Sequence, residues 1–337
     1  MSNLIVEICA IDSVKPHSNA DLLELCIIKG WQCVVPKGQY KEGDVITYIP
    51  VDAVLPVELS DKLGVTKYLH NGRVRCAKLR GEPSFGVIFN RENSSWPLGM
   101  DVASFYNITK YEPPIKNIGG DVETAHPLFP QYTTIENLRN FVDIFDPSEI
   151  VVITEKIHGT SCRVGIIEGI RMAGSHKIQR KQMNSKGEES LYWYPYQLPG
   201  ISQCLTELSS KHNQVILFGE IYGSKIQSLH YGLENQIGFR VFDLFIDGKY
   251  VDFNYLDKIC ITYGILTVPY IGEGLYDLEH IKELSHGNTR LGATHLREGL
   301  VIKPMHERYH EKIGRVIFKY LNDDYLLSKG ISDSTDY

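Results

Sequence analysis

The stretch Glu155-Lys156-Ile157-His158-Gly159-Thr160 closes an apolar, β-branched run, Val151–Thr154. A lysine there sits at a strand end, and the glycine after it permits a tight turn that brings backbone close to a ligand. Held partly desolvated among other cations, such an amine gives up its proton more readily and becomes a nucleophile. Alone, a lysine in this setting is more often a surface charge. Three other segments alter that weighing: Phe218-Gly219-Glu220-Ile221-Tyr222-Gly223, Glu298-Gly299-Leu300-Val301-Ile302-Lys303 and Phe318-Lys319-Tyr320. Glu220 and Glu298 each stand beside a glycine next to an apolar run, where a strand-edge carboxylate can hold Mg²⁺. Lys303 and Lys319 add point charges for a polyphosphate. Together these groups suit attack on the α-phosphate of a nucleotide, with metal and lysines neutralising the departing pyrophosphate.

The four segments resemble the motifs of the covalent lysine nucleotidyltransferases and, within them, the ATP-dependent RNA ligases. Lys156-Ile157-His158-Gly159 matches the first motif, Lys-x-His/Asn/Asp-Gly, in the histidine form that is similar to RNA rather than DNA ligases. Phe218-Gly219-Glu220 resembles the third motif, Glu298 to Lys303 the fourth, and the residues around Lys319 the fifth. Val241-Phe242-Asp243-Leu244 is similar to the motif whose ring stacks on the purine. Five motifs in order across 133–322 are a strong signal where any one would be weak. The resemblance implies Lys156 as the residue that becomes linked to AMP, with Lys303 and Lys319 as further catalytic contacts. It also implies Glu155, His158, Gly159, Glu220 and Phe242 around the nucleotide, and Glu220 and Glu298 holding Mg²⁺ or Mn²⁺. The cofactors expected are ATP and that divalent ion.

Three departures accompany the resemblance. Leu321 stands where close relatives carry a second lysine, and His176 where they carry arginine; Ser161 replaces a frequent asparagine. Either Lys177, Arg180 or Lys303 covers the lost contact, or one ligation step is slow. One phosphate contact is commonly worth ~1.5–3 kcal/mol, enough to slow an enzyme without abolishing it.

Upstream, short apolar runs at Leu4–Ile11, Leu25–Ile28, Gln32–Val35, Val45–Ile49, Gly72–Leu79 and Gly86–Phe89 alternate with turn signals. They predict a small barrel, although a hydrolase lid or a ubiquitin-like fold fits the periodicity alone. His17-Ser18-Asn19-Ala20-Asp21, Gly30-Trp31-Gln32 and Pro36-Lys37-Gly38 resemble the N-terminal OB-fold of a nick-sealing RNA ligase branch. Trp31, Tyr40 and Tyr48 read equally as strand-binding aromatics or as barrel core. Prolines and glycines from Asn107 to Pro130 mark a linker, and a helix is predicted from Thr134 to Phe145, where Pro147 stops it. Strand-like runs then recur at Arg163–Ile167, Val215–Phe218, Gly238–Phe245 and Gly299–Lys303, with helices over Ser202–His212 and Tyr255–Tyr263. The expected class is α+β: an OB-fold barrel over 1–105, a linker over 106–130, and an ATP-grasp-like adenylyltransferase domain of antiparallel sheets and helices over 131–337.

Composition sets outer bounds. The 337 residues are 43% hydrophobic and 23% charged, which excludes a largely disordered, collagen-like or coiled-coil chain. Seven scattered cysteines form no C-x-x-C pair, so free thiols in a reducing, cytoplasmic setting are expected rather than a zinc ribbon. A net charge of −6 argues against nonspecific coating of nucleic acid. A local patch must therefore make any RNA contact, and Arg171–Lys186, free of Asp and Glu, is the candidate, its plainer reading being a solvated basic loop. His306 and His310 lack a third ligand for a metal. Only 18 residues follow Lys319, short of the C-terminal domain that DNA ligases and capping enzymes carry. The expectation is an RNA ligase (ATP) joining 3′-OH and 5′-phosphate ends in a nicked or RNA-containing duplex, monomeric and without a membrane span. The alternative is a nucleic-acid-binding protein with an inactive ligase domain.

Overall fold

The computed structural model describes residues 4–112 and 120–329, so Pro113 and Pro114 of the expected linker lie outside the described residues. Two units emerge, the first built on 4–112 with 136–144 and 321–329, the second on 120–135 and 145–320.

The first unit opens with β1 (Glu7–Ala10), β2 (Ser13–Pro16), β3 (Leu23–Ile28), β4 (Trp31–Pro36) and β5 (Val45–Ile49); all but β2, which no predicted run covers, fall on predicted runs. After β6 (Ala53–Val54) and helix α1 (Val57–Lys62) come β7 (Ala77–Leu79), β8 (Glu82–Ser84), β9 (Val87–Asn90) and β10 (Thr109–Lys110). One sheet runs β1-β5-β9 and another β2-β3-β4. The chain turns the corner between them at Ile11 and Asp12, whose N–H groups donate to Asp44 (3.0 Å) and Ile27 (2.8 Å). Phe85 N–H closes the other side onto the Gln32 carbonyl at 2.8 Å, giving the small barrel of an OB-fold. Trp31, Tyr40 and Tyr48 are all buried. Packing therefore accounts for them: Tyr48 donates to the Phe85 carbonyl (2.6 Å) and Trp31 Nε1 to Asn140 Oδ1 (2.9 Å).

The predicted helix over Thr134–Phe145 does not form. Two residues of strand, β11 (Glu136–Asn137), lead into a single 3₁₀ turn, Leu138–Asn140. The Asn137 side chain accepts the Arg139 N–H at 3.1 Å, a local bond that competes with helical backbone pairing. Arg139 is then buried over the rings of Trp31 (4.7 Å) and Phe85 (5.5 Å), and its guanidinium reaches Asp323 at 2.5 Å.

In the second unit, β12 (Ile150–Lys156), β13 (Thr160–Ile167), β14 (Ile170–Ser175) and β15 (Gln179–Arg180) precede helix α2 (Pro199–Ser209). Then come β16 (Gln214–Gly223), β17 (Ile237–Ile246), β18 (Lys249–Tyr250), α3 (Phe253–Tyr263), β19 (Tyr270–Leu275) and α4 (Leu278–Ser285). The last elements are β20 (Gly299–Pro304), β21 (Tyr309–His310), β22 (Gly314–Arg315) and β23 (Phe318–Leu321), after which α5 (Asp323–Lys329) returns to the first unit. An antiparallel sheet runs β15-β14-β13-β16-β17-β18, and a second contains β23-β20-β12-β19 in that order. Alternation along β13 gives the first sheet two apolar faces. Cys162, Val164 and Ile166 pack with Leu205, Leu208 and Leu256 of the helices. Ile167 on the opposite face joins Phe218, Phe129, Tyr132 and, from the second sheet's side, Val301 and Ile317. The result is an α+β unit whose two sheets share a core and whose strand ends converge on Lys156.

Candidate active site

Register puts the quoted segments together. Lys156, the last residue of β12, lies opposite Gly299 in β20; Glu298, one residue earlier, therefore reaches back to the Lys156 ammonium at 3.0 Å. Glu298 Oε2 is also 3.7 Å from His158 Nδ1. On the other side, β13 pairs with β16 so that Ser161 lies opposite Glu220, and Glu220 Oε1 accepts the Gly159 N–H at 3.1 Å. The glycine is required by this close approach: a Cβ at 159 would sit 2.2 Å from the Ile221 carbonyl oxygen. Lys156, His158, Gly159, Glu220 and Glu298 thus form one cluster, its lysine side chain only 11% exposed.

Glu155 points away from that cluster and is buried. Its carboxylate accepts the Thr289 hydroxyl and, at 2.8 Å, the Arg290 N–H, which ties β12 to the loop ahead of Glu298. Phe242 is half-buried, with Tyr132 4.9 Å from its ring. Its neighbour Asp243 is fully engaged: Lys303 Nζ lies at 2.6 Å, Arg315 Nη1 at 2.8 Å, and the Tyr132 hydroxyl donates to the same carboxylate. Burial pushes the Asp243 carboxyl up, but the Arg315 guanidinium and Lys303 ammonium more than offset that and hold it below the ordinary carboxylate range. Lys303 also lies 3.6 Å from Glu307.

The remaining sequence-selected residues are placed separately. Lys319 is buried in β23, and so is Leu321, whose carbonyl accepts from Arg139 at 3.4 Å; a lysine at 321 would bury its charge. Arg171–Lys186 is mostly a hairpin rather than a loop. Within it Arg180 is buried against Asp121 at 2.6 Å, while Arg171, Lys181 and Lys186 are exposed and Lys177 half-buried. Thr289, Arg315 and Tyr231, whose hydroxyl accepts the His158 N–H at 2.6 Å, carried no local sequence signal of a role.

Among the described residues, no group of three or more His, Cys, Asp or Glu side chains is arranged to hold a metal ion. The donor chemistry nonetheless fits Mg²⁺ or Mn²⁺: two carboxylates beside one amine suit a hard cation that keeps several waters and takes phosphate oxygens.

A sequence model of the RNA ligase family matches residues 149–321, just over half of the chain, and spans Lys156, Glu220, Phe242, Glu298 and Lys319. The chain belongs to the RNA ligase family. An OB-fold domain model matches residues 5–91. Among solved structures, RNA ligase of Naegleria gruberi shares the fold. A lysine-to-alanine mutant of it with ATP and Mn has 23% identity and a TM-score of 0.78, covering 96% of this chain and 98% of that one. A glutamate-to-alanine mutant with ATP and Mn gives 24%, 0.79, 96% and 98%. The same enzyme with PPi gives 24%, 0.77, 96% and 98%. No curated protein matches the chain by sequence. No helix among the described residues is long and apolar enough to cross a membrane.

Proposed function

We propose that the chain is an ATP-dependent RNA ligase that seals 3′-OH/5′-phosphate breaks, above all nicks in duplexes with RNA on the 3′-hydroxyl side. The observation that carries this reading is the convergence of Lys156, Glu298 and Glu220 on one turn. Neutral Lys156 Nζ attacks the α-phosphorus of ATP; a P–N bond forms and pyrophosphate leaves. The AMP then passes to the 5′-phosphate of the break, and the 3′-hydroxyl displaces it to close the strand. Phe242 offers its half-buried ring to the base, and Glu155 and His158 shape the pocket around it. Lys177 and Lys319 supply positive charge to the phosphates, with Lys303 and Arg180 acting from their ion pairs. A divalent cation held by Glu220 and Glu298 would supply further charge beside the phosphate oxygens. The OB-fold and the exposed Arg171, Lys181 and Lys186 meet the strand backbone. The seven cysteines, all free, support a reducing compartment such as the cytoplasm, and the resemblance supports a monomer.

The test is covalent labelling. Protein stripped of bound AMP with pyrophosphate is incubated with Mg²⁺ and α-labelled ATP or GTP, then denatured. Label from ATP alone, abolished by Lys156→Ala, is the expected result. No label with any divalent metal would overturn the reading in favour of a nucleic-acid-binding protein with an inactive ligase domain.

A further inference from the structure

Tyr231 lies in the connection between β16 and β17 with a left-handed backbone, φ +51°. Bulky residues avoid that conformation, and it persists only where the surroundings dictate it. The ring is 2% exposed, packed edge-on 4.6 Å from His295 and 5.5 Å from Tyr222. So oriented, its hydroxyl accepts the backbone N–H of His158 at 2.6 Å. The ladder of β12 to β20 ends at Lys156 and that of β13 to β16 begins at Thr160, so residues 157–159 lie outside both. One phenol thereby joins three segments: the turn after Lys156, the β16–β17 connection, and the loop through His295 that leads to Glu298.

We infer that Tyr231 is a positioning residue that fixes the 157–158 peptide, and with it the direction of the Lys156 amine. The inference rests on the ligase reading. Displacement at phosphorus needs the amine aligned near contact distance, so a loosened turn slows attack while leaving nucleotide contacts elsewhere in place.

The full chain carrying Tyr231→Phe keeps the ring and loses the hydroxyl that accepts the His158 N–H. Tyr222→Phe serves as the control, because that hydroxyl accepts from Arg240 at 3.1 Å rather than from the turn. Two readouts are taken: single-turnover formation of lysyl-AMP over a range of ATP, and amide hydrogen exchange at His158. Tyr231→Phe should lower the maximal rate about tenfold with the half-saturating ATP concentration within twofold of the parent, and should speed His158 exchange; Tyr222→Phe should do neither. A maximal rate within twofold of the parent, or a raised ATP requirement at unchanged rate, overturns the inference. So does an equal loss in Tyr222→Phe. If the parent itself takes no label, the ligase reading fails on its own. Faster His158 exchange in Tyr231→Phe would then still support the fixing of the 157–158 peptide by Tyr231, and unchanged exchange would overturn it.

Discussion

Buried charge at Asp243 illustrates how single residues decide this fold and its site. Asp243 holds Lys303, Arg315 and Tyr132 at once, so removing its charge leaves two buried cations short of a partner. Asp243→Asn should cost about 3 kcal/mol or more, read from urea unfolding midpoints. The pH dependence follows in sign. The folded carboxyl titrates below its unfolded value, so its stabilisation is present above pH ~4 and is lost as pH falls through the folded value. Unfolding midpoints at successively lower pH should show that loss in the parent and a smaller one in Asp243→Asn. Gly159→Ala would set a methyl against the Ile221 carbonyl. Backbone would have to shift at the lysine turn, and lysyl-AMP formation should fall about a hundredfold with the far-UV spectrum unchanged. At this scale the motif residues were legible as a group that the fold brings together: Glu220 and Glu298 each adjoin a glycine at a strand run, and Lys156 ends one three residues before Gly159. Thr289 and Tyr231 were not, because their roles come from loops that meet the motif in space and not in sequence.

Among the elements, strands were readable because β-branched alternation is local. Val45–Ile49 came out with its predicted ends, and β16 and β17 contain the runs expected of them. The failure at 134–145 has a different source. Glu136 and the threonines make a plausible helix start, but Leu138 and Arg139 are buried, and Arg139 is held by partners far along the chain. A capping pattern cannot register that. The Arg139–Asp323 pair, with side chains 4% and 21% exposed, gives a direct test. Arg139→Ala should destabilise the first unit by ~3 kcal/mol. A double-mutant cycle with Asp323→Ala should return a clearly non-additive coupling energy.

For the whole molecule, composition and charge excluded classes without choosing a function, and the order of motifs chose it. What composition could not show is that the first unit is discontinuous, taking in 136–144 and 321–329. A fragment ending at residue 112 lacks Asn140 for Trp31 and lacks Arg139 altogether. It should melt roughly 10 °C or more below the corresponding transition of the full chain, measured by near-UV circular dichroism. The same arrangement sets an order of events during synthesis. A ribosome delivers the barrel strands early, yet the Asp323 carboxylate emerges 184 residues after its arginine. The unit whose strands are translated ahead of the second unit is therefore completed after it, and a prematurely terminated nascent chain would expose an unfinished barrel to proteolysis instead of releasing a stable fragment.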